Sequence, residues 1–242
     1  MLALLFGVMV MSFSKAYGAE SVIDSYLDGG NNTSDIVRLI VVLTLLSFIP
    51  AIIMTLTAFP RIIIVLSFAR NAMGTQQMPP NQVLIGIAMV LTFFIMSPVV
   101  TEVIDEAYTP YMEGEIGTEE AYENATRPMK EFMFNQARTE AKGMNFFMEL
   151  YGMTEMPESL DDMPMVVIMM SFITSELKKA FIMGFILYVP FIVVDMITAS
   201  VLMSMGMMMI PPVTISLPFK ILLFVLVDGW TLLFETLVKG FI

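Results

Sequence analysis

The sequence contains no cysteine and no histidine, and lysine and arginine together number only 12 among 242 residues. Without cysteine there are no disulfide bonds and no thiol nucleophiles, and without either residue the usual zinc sites cannot form. Histidine is also the side chain that most often serves as a general base near neutral pH. No glycine-rich phosphate loop of the P-loop kind is present. The sequence therefore predicts no catalytic residues, no metal and no cofactor.

The few charges are unevenly distributed along the chain. The segment 102–162 contains 15 acidic and 4 basic residues, which accounts for the whole net charge of −11. The remainder is neutral overall, and no basic patch of the kind that attracts nucleic acid is present. We therefore expect an acidic polar insert at 102–162 and no nucleic-acid partner.

Long apolar segments dominate the rest of the chain, which is 57% hydrophobic overall. A helix of about 20 apolar residues is long enough to cross the hydrocarbon core of a bilayer. Prolines inside these segments, such as Pro50 and Pro98, predict kinks. We expect an all-α membrane protein with about four long, kinked hydrophobic helices and a helical acidic insert. The four helices are predicted at about 39–69, 83–101, 165–204 and 213–238.

The first residues have the pattern of a secretory signal. A short apolar run from Leu2 to Met11 is followed by small residues at Ala16 and Gly18. We predict a signal peptide at 1–18, followed by a flexible extracytoplasmic segment at 19–35. The alternative is an uncleaved helix that lies at the membrane interface.

Charge also predicts the topology. Arg61 and Arg70 flank the short connection between the first two apolar segments, which contains no acidic residue. The positive-inside rule places this connection in the cytoplasm. The acidic insert and the mature N-terminus then lie outside, as the signal peptide also requires.

Within the insert, Thr118 is the predicted N-cap of a helix and Pro128 is predicted to open a second one. From Pro128 onward, apolar residues recur at spacings of three, four and seven, which predicts one apolar helix face. This face packs either on the same molecule or on a neighbouring copy. Its members are Met129, Phe132, Met133, Ala137, Met144, Phe147, Met148 and Tyr151.

Five charged residues lie within or beside the apolar segments: Arg61, Glu176, Asp195, Lys220 and Asp228. A charge at the centre of a bilayer costs at least about 2.5 kcal/mol, so such residues pair or face a wet interior. They are either static inter-helix or inter-subunit pairs, or part of an ion pathway. We predict a pair between Glu176 and Lys220, within one subunit or across an interface.

A cluster of three methionines, Met207, Met208 and Met209, lies between two membrane-length segments. Gly206 precedes it and Pro211 and Pro212 follow, which predicts a hinge because proline cannot continue a helix from upstream. Methionine is the most deformable apolar side chain, and the turn has no charge to hold it in water. The cluster is either packing material or a yielding seal.

Several motifs resemble, in order, those of the FliP family of flagellar type III export gate proteins. The resemblance covers about residues 36–242, and an N-terminal signal peptide is typical of the flagellar branch rather than the virulence-secretion homologues. Besides the methionine turn, the motifs are Arg61-Ile62-Ile63-Ile64-Val65, Arg70-Asn71-Ala72-Met73-Gly74-Thr75, Pro79-Pro80-Asn81-Gln82-Val83-Leu84, Phe93-Phe94-Ile95-Met96-Ser97-Pro98, Thr174-Ser175-Glu176-Leu177-Lys178, Leu217-Pro218-Phe219-Lys220 and Val227-Asp228-Gly229-Trp230.

The resemblance implies a pentamer that joins FliQ and FliR in a helical pore assembly, alongside the export components FlhB and FlhA. It implies passage of unfolded flagellar substrates across the bacterial inner membrane at the flagellar basal body. It also implies that Met207, Met208 and Met209 form the gasket of the pore, and that the four-span topology describes only the inserted monomer.

Two other functions are consistent with the residues alone. An ion-coupled small-solute transporter would use Asp195, Asp228 and Lys220, although transporters usually contain internal repeats and none is found here. If the chain were a purely structural membrane anchor, replacement of the three methionines would not change its function.

Overall fold

A computed structural model describes residues 43–44, 47–48, 50–75, 78–153, 156–157, 159–207 and 209–241. The predicted signal peptide and the segment 19–35 lie outside these residues. The chain divides into two compact units, Met1–Ala51 and Ile52–Ile242. In the first unit the described residues are helical. All elements below belong to the second unit.

The described part of the second unit contains helices and no strand, which confirms the predicted all-α class. A short helical stretch ends at Leu56. The helices that follow are α1 (Phe59–Met73), α2 (Asn81–Val103), α3 (Thr109–Glu113), α4 (Thr118–Ala137), α5 (Ala141–Leu150), α6 (Met165–Ser204), α7 (Pro212–Leu226) and α8 (Gly229–Lys239).

The longest helix, α6, packs against α1, α4, α5 and α7. Its 40 residues contain Pro190, yet the helix continues through it. Against α1 the approach is very close: a Cβ added at Gly184 would lie 2.5 Å from the ring of Phe68. Phe68 also packs edge to face on Phe181, with 5.6 Å between ring centroids. The glycine therefore sets the distance between the two helices.

The second apolar segment runs further than predicted. A π-helical turn at Ile104–Tyr108 connects α2 directly to α3, so the helix continues from Asn81 to Glu113. Its last part belongs to the predicted acidic insert. A π-helical turn inserts an extra residue into the helix without ending it.

Two predictions in the insert are wrong. Pro128 lies inside α4 and opens no second helix, because the packing of this helix outweighs the loss of one backbone hydrogen bond. Thr118 is the first residue of α4, and extended Gly117 precedes it at the cap position. No side chain caps the start of this helix.

The apolar face of the insert packs on its own molecule, which decides between the two alternatives left open by its periodicity. Met133, Met144 and Met148 are buried, and they share one core with Ile168 and Phe172 of α6. The insert is thus attached to the longest apolar helix rather than being an independent unit.

The last apolar segment is a bent pair instead of one helix. α7 and α8 meet at an angle of 61°. At the bend, Asp228 adopts a left-handed conformation with φ of 48°, and a Cβ at Gly229 would lie 2.4 Å from the ring of Phe224. The bend therefore depends on the absence of a side chain at Gly229.

Among the described residues, two helices are long and apolar enough to cross a membrane, namely Asn81–Glu113 and Met165–Ser204. The number rises to four if each of two bent helix pairs is counted as one span. These lengths and compositions support a membrane protein with the predicted number of apolar segments.

Candidate functional site

Three features contain the residues singled out from the sequence, except Asp228. They are a buried polar network around Arg61, an ion pair between α6 and α7, and the methionine turn between the same two helices.

The Arg61 network begins with an ion pair between α1 and α6. The Nε of Arg61 donates to Oε2 of Glu176 at 2.7 Å, and its Nη2 donates to Oε1 of the same carboxylate. Both side chains are completely buried. Two parallel N–H···O bonds of this kind match the planar guanidinium to the carboxylate, and lysine cannot reproduce them.

The remaining donors of Arg61 reach two other parts of the chain. Its Nη1 donates to the carbonyl oxygen of Gly240 at 2.8 Å, and its Nη2 donates to Oε1 of Gln136 at 3.0 Å. The ring of Phe241 lies against the guanidinium, with 3.6 Å from Cζ to the ring centroid. One side chain thus joins α1, α4, α6 and the residues that follow α8.

Gln136 connects the network to further groups. Its Nε2 donates to the carbonyl oxygen of Phe241 at 3.0 Å. The backbone carbonyl oxygen of Gln136 accepts hydrogen bonds from the hydroxyl of Ser175 at 3.2 Å and from Nζ of Lys179 at 2.6 Å. Among the described residues, no buried side-chain nitrogen or oxygen lacks a hydrogen-bond partner. Full satisfaction is what makes a buried charge tolerable, so the network reads as structural.

A second ion pair joins α6 to α7. Nζ of Lys220 donates to Oδ2 of Asp195 at 2.6 Å, and the hydroxyl of Ser216 donates to Oδ1 at 2.5 Å. Lys220 is buried and the Asp195 side chain is 31% exposed. The pair lies between two apolar helices, where charges are expected to have partners.

The predicted pairing of Glu176 with Lys220 is wrong within one chain. Each has another partner: Glu176 pairs with Arg61, and Lys220 pairs with Asp195. Arg61 and Glu176 come from helices that pack tightly together, a proximity that spacing along the sequence does not reveal. Asp228 forms no salt bridge to any of the described residues, and it occupies the bend before α8 instead.

The methionine turn begins where glycine ends α6. Gly206 has a φ of 77°. Its N–H donates to the carbonyl oxygen of Met203 at 3.0 Å, and the N–H of Met207 donates to the carbonyl oxygen of Leu202 at 3.0 Å. This pair of bonds is a Schellman motif, which favours glycine at the left-handed position. Helix α6 therefore ends before the prolines are reached.

The turn itself is uncovered. Met207 is 38% exposed and Met209 is 97% exposed, while Met208 lies outside the described residues. Pro211 then precedes α7 and Pro212 is its first residue, where a missing N–H costs nothing. The predicted hinge residues thus have separate roles, since Gly206 ends one helix and Pro212 opens the next.

The helices around the turn expose extensive apolar surface. On α6 these residues are spread over the whole helix, and they include Phe181, Phe185, Ile186, Val189, Met196 and Ile197. On α7 they include Val213, Phe219, Leu222 and Val225. An apolar cavity of about 390 Å³ lies between α1, α6, α7 and α8 and opens to this surface. Such an area needs lipid or other protein to cover it.

No group of three or more acidic side chains among the described residues is arranged to hold a metal ion. The carboxylates at Glu119 and Glu120 lie on the exposed side of α4.

Sequence reasoning missed Gln136, Gly240 and Phe241. One signal for Gln136 was available, because it falls on the apolar face of α4 between Met133 and Ala137, where an amide needs a partner. The two carbonyl groups near the chain end carry no such signal, since any residue supplies them.

Comparison with known proteins gives one consistent result. A profile of the FliP family matches residues 42–237. The flagellar biosynthetic protein FliP of Bacillus subtilis (strain 168) is 53% identical over 210 residues, which cover 87% of this chain and 94% of that protein. The protein of the same name from Pectobacterium carotovorum subsp. carotovorum is 49% identical, with 88% and 82% covered. That from Aquifex aeolicus (strain VF5) is 42% identical, with 88% and 89% covered.

Proposed function

The chain belongs to the FliP family, and we propose that it is a core subunit of the flagellar type III export gate. In this role it forms part of the protein-conducting pore through which unfolded flagellar substrates cross the bacterial inner membrane. The gate lies at the flagellar basal body, and the chain acts without catalysis, metal or cofactor.

The observation that carries this proposal is the uncovered methionine turn between α6 and α7. An apolar, uncharged turn that exposes nearly all of Met209 is unfavourable in water. It becomes less unfavourable where several copies meet and each turn covers part of the next. Methionine side chains adapt to irregular surfaces, so a ring of them can close on itself or around a passing chain. The gasket would comprise Met207, Met208 and Met209.

The exposed apolar faces of α6 and α7 support assembly with other subunits. These faces expose far more apolar surface area than the scattered apolar residues on the surface of a typical monomer. We propose a pentamer of this chain that joins FliQ and FliR, with FlhB and FlhA as further components of the export apparatus. Burial of these faces between subunits would leave part of the apolar sequence out of contact with lipid.

The two ion pairs would hold the scaffold of the gate in one arrangement. The Arg61 network fixes α1, α4 and α6 against each other, and the Asp195–Lys220 pair fixes the helices on both sides of the turn. With these helices fixed, the turn is the part that can yield. The acidic insert would lie on the extracytoplasmic side and the connection near Arg70 in the cytoplasm.

The names of the relatives favour a flagellar rather than a virulence role. An ion-coupled solute transporter remains the second candidate, since Asp195 and Lys220 form an ion pair between two apolar helices, α6 and α7. The two functions predict different purified species. The gate predicts a stable multi-subunit assembly, whereas the transporter predicts a protein that binds a small solute.

Replacement of the native gene by variants tests the export role directly. Cells lacking the chain should be non-motile and should secrete no flagellar subunits into the medium, and the wild-type gene should restore both. A matched control is Glu235→Gln, which removes one exposed ion pair within α8 and should secrete normally. Normal secretion by cells that lack the chain would refute the proposal.

A further inference from the structure

The methionines that the structure describes differ widely in access to solvent. Met209 has the most exposed side chain among the large apolar residues that the structure describes, at 97%. Met205 and Met207, at the same turn, are exposed as well. In the acidic insert, by contrast, Met133, Met144 and Met148 are buried, and they share one core with Met163, which directly follows the insert.

Exposure matters because methionine is chemically reactive at sulfur. A peroxide transfers one oxygen atom to the thioether, forming an S=O bond as its O–O bond breaks. The sulfur is oxidised by two electrons and the peroxide is reduced to water or an alcohol. The product is a polar sulfoxide, which dedicated reductases convert back to the thioether. A thioether in a packed core is shielded from this reaction, and one at an open turn is not.

The surroundings of the turn leave room for the reagent. A Cβ built at Gly206 meets no atom within 4 Å. The segment 206–212 contains no charged residue that could already hydrate it. Oxidation would therefore introduce the first strongly polar side-chain groups into this stretch.

A hydrophobic constriction closes a pore by excluding water from it. A sulfoxide oxygen accepts hydrogen bonds from water, so each oxidised methionine weakens that exclusion. In an assembly, every copy of the chain contributes the same turn, and the effect multiplies around the ring.

We propose that the methionine turn is a reversible oxidation site, at which peroxide converts Met207 and Met209 to sulfoxides and opens the seal to water and ions. The proposal rests on the proposed function, in which this turn closes the pore. It adds a chemical signal, a peroxide, to which the closed gate responds.

Met112 provides a matched control outside the turn. It lies in the acidic insert and is 64% exposed, so peroxide reaches it as well. If conductance responded to oxidation anywhere on the surface, Met112 would contribute to the response. The buried methionines of the insert serve as a second, unreactive reference in the same sample.

The experiment uses the purified assembly in lipid vesicles, treated with hydrogen peroxide. Peptide mass spectrometry locates the sulfoxides, and ion flux across the vesicle membrane reports the seal. We expect sulfoxides at Met207 and Met209, little at Met133 and Met144, and a several-fold rise in flux. Treatment with methionine sulfoxide reductases of both stereospecificities should return the flux to its starting value.

Two variants separate the turn from the rest of the surface. A protein with Met207→Leu, Met208→Leu and Met209→Leu keeps an apolar turn without thioethers, and its flux should not respond to peroxide. Met112→Leu should respond like wild type. The proposal is overturned if Met207 and Met209 stay reduced while Met112 is oxidised, or if they are oxidised without a rise in flux.

Deletion of Met207 to Met209, assayed without peroxide, keeps this proposal separate from the proposed function. A leak from the deletion together with no response to oxidation overturns the oxidation site alone. If the deletion causes no leak and oxidation causes no rise in flux, the proposal that the methionine turn seals the pore is overturned as well.

Discussion

Arg61 and Glu176 form an ion pair between α1 and α6 in which neither side chain is accessible to solvent. Their positions differ by 115 in the sequence, and both belong to predominantly apolar helices. The guanidinium also binds Gln136 and the carbonyl oxygen of Gly240, so the pair organises four parts of the chain.

Removing one partner of this pair should destabilise the protein strongly. In Glu176→Gln the guanidinium keeps hydrogen bonds but loses its counter-charge, and in Arg61→Lys the paired donors are lost. Breaking a buried pair typically costs about 3–5 kcal/mol. Thermal unfolding followed by circular dichroism should show a large drop in melting temperature for both variants.

The control for this prediction is the exposed pair between Lys239 and Glu235. Glu235→Gln should shift the melting temperature little, because exposed pairs contribute roughly 0–1 kcal/mol. Equal melting temperatures for Glu176→Gln and Glu235→Gln would contradict the importance of the buried network.

Exchange of charges should test the pairing of Asp195 with Lys220. Asp195→Lys alone and Lys220→Asp alone each place two like charges together between α6 and α7, and both should lower the yield of assembled protein. The double exchange should recover part of the yield, although Ser216 loses one of its two acceptors and keeps the carbonyl oxygen of Val213. Yield is measured by size-exclusion chromatography, and a double variant no better than the singles would argue against this pair.

A side chain at Gly184 should separate α1 from α6. A Cβ there would lie 2.5 Å from the ring of Phe68, which leaves no room for Gly184→Ala without movement of the helices. Overpacking of this kind typically costs about 1–3 kcal/mol. The melting temperature should fall, and Phe68→Ala in the same protein should recover part of the loss.

Gly86 offers the matched control for this change, since a Cβ there meets no atom within 4 Å. Gly86→Ala lies within α2 and should be neutral or slightly stabilising, because alanine favours a helix over glycine by roughly 1 kcal/mol. A loss of stability equal to that of Gly184→Ala would mean that helix spacing is not the cause.

Much of the fold follows from the sequence because it depends on local patterns. The apolar segments, the acidic insert and the methionine turn are all visible as runs of composition or as periodicity. The bend at Asp228 and the continuation of α4 through Pro128 are not, because packing overrides the local preference at both sites. Gly206 is a predicted hinge residue, and the two backbone hydrogen bonds that end α6 there have no distinctive signal in the sequence.

For the charged residues, too, the sequence predicts one part of the outcome and helix packing decides the other. Each could be singled out as a charge in an apolar segment, which requires a partner. Which partner it has depends on helix packing, and Glu176 was therefore assigned to Lys220 instead of Arg61. Gln136 and the carbonyl groups of Gly240 and Phe241 complete the network without any distinctive sequence pattern.

Gly206→Ala should disturb the turn without filling any space. Its φ of 77° is a left-handed conformation, which costs a residue with a Cβ roughly 1–2 kcal/mol, although no atom lies within 4 Å. We expect assembled protein in normal amount but altered export of flagellar subunits. Gly143→Ala, in α5, is the control and should export normally. Wild-type export by Gly206→Ala would show that the conformation of this residue does not matter to the gate.

The central claim is that the methionine turn seals a protein-conducting pore. It is tested most directly by the ion conductance of membranes containing a variant that lacks Met207 to Met209. The account predicts that this variant assembles normally and that its conductance is several-fold above wild type. A correctly assembled variant with conductance no higher than wild type would contradict it.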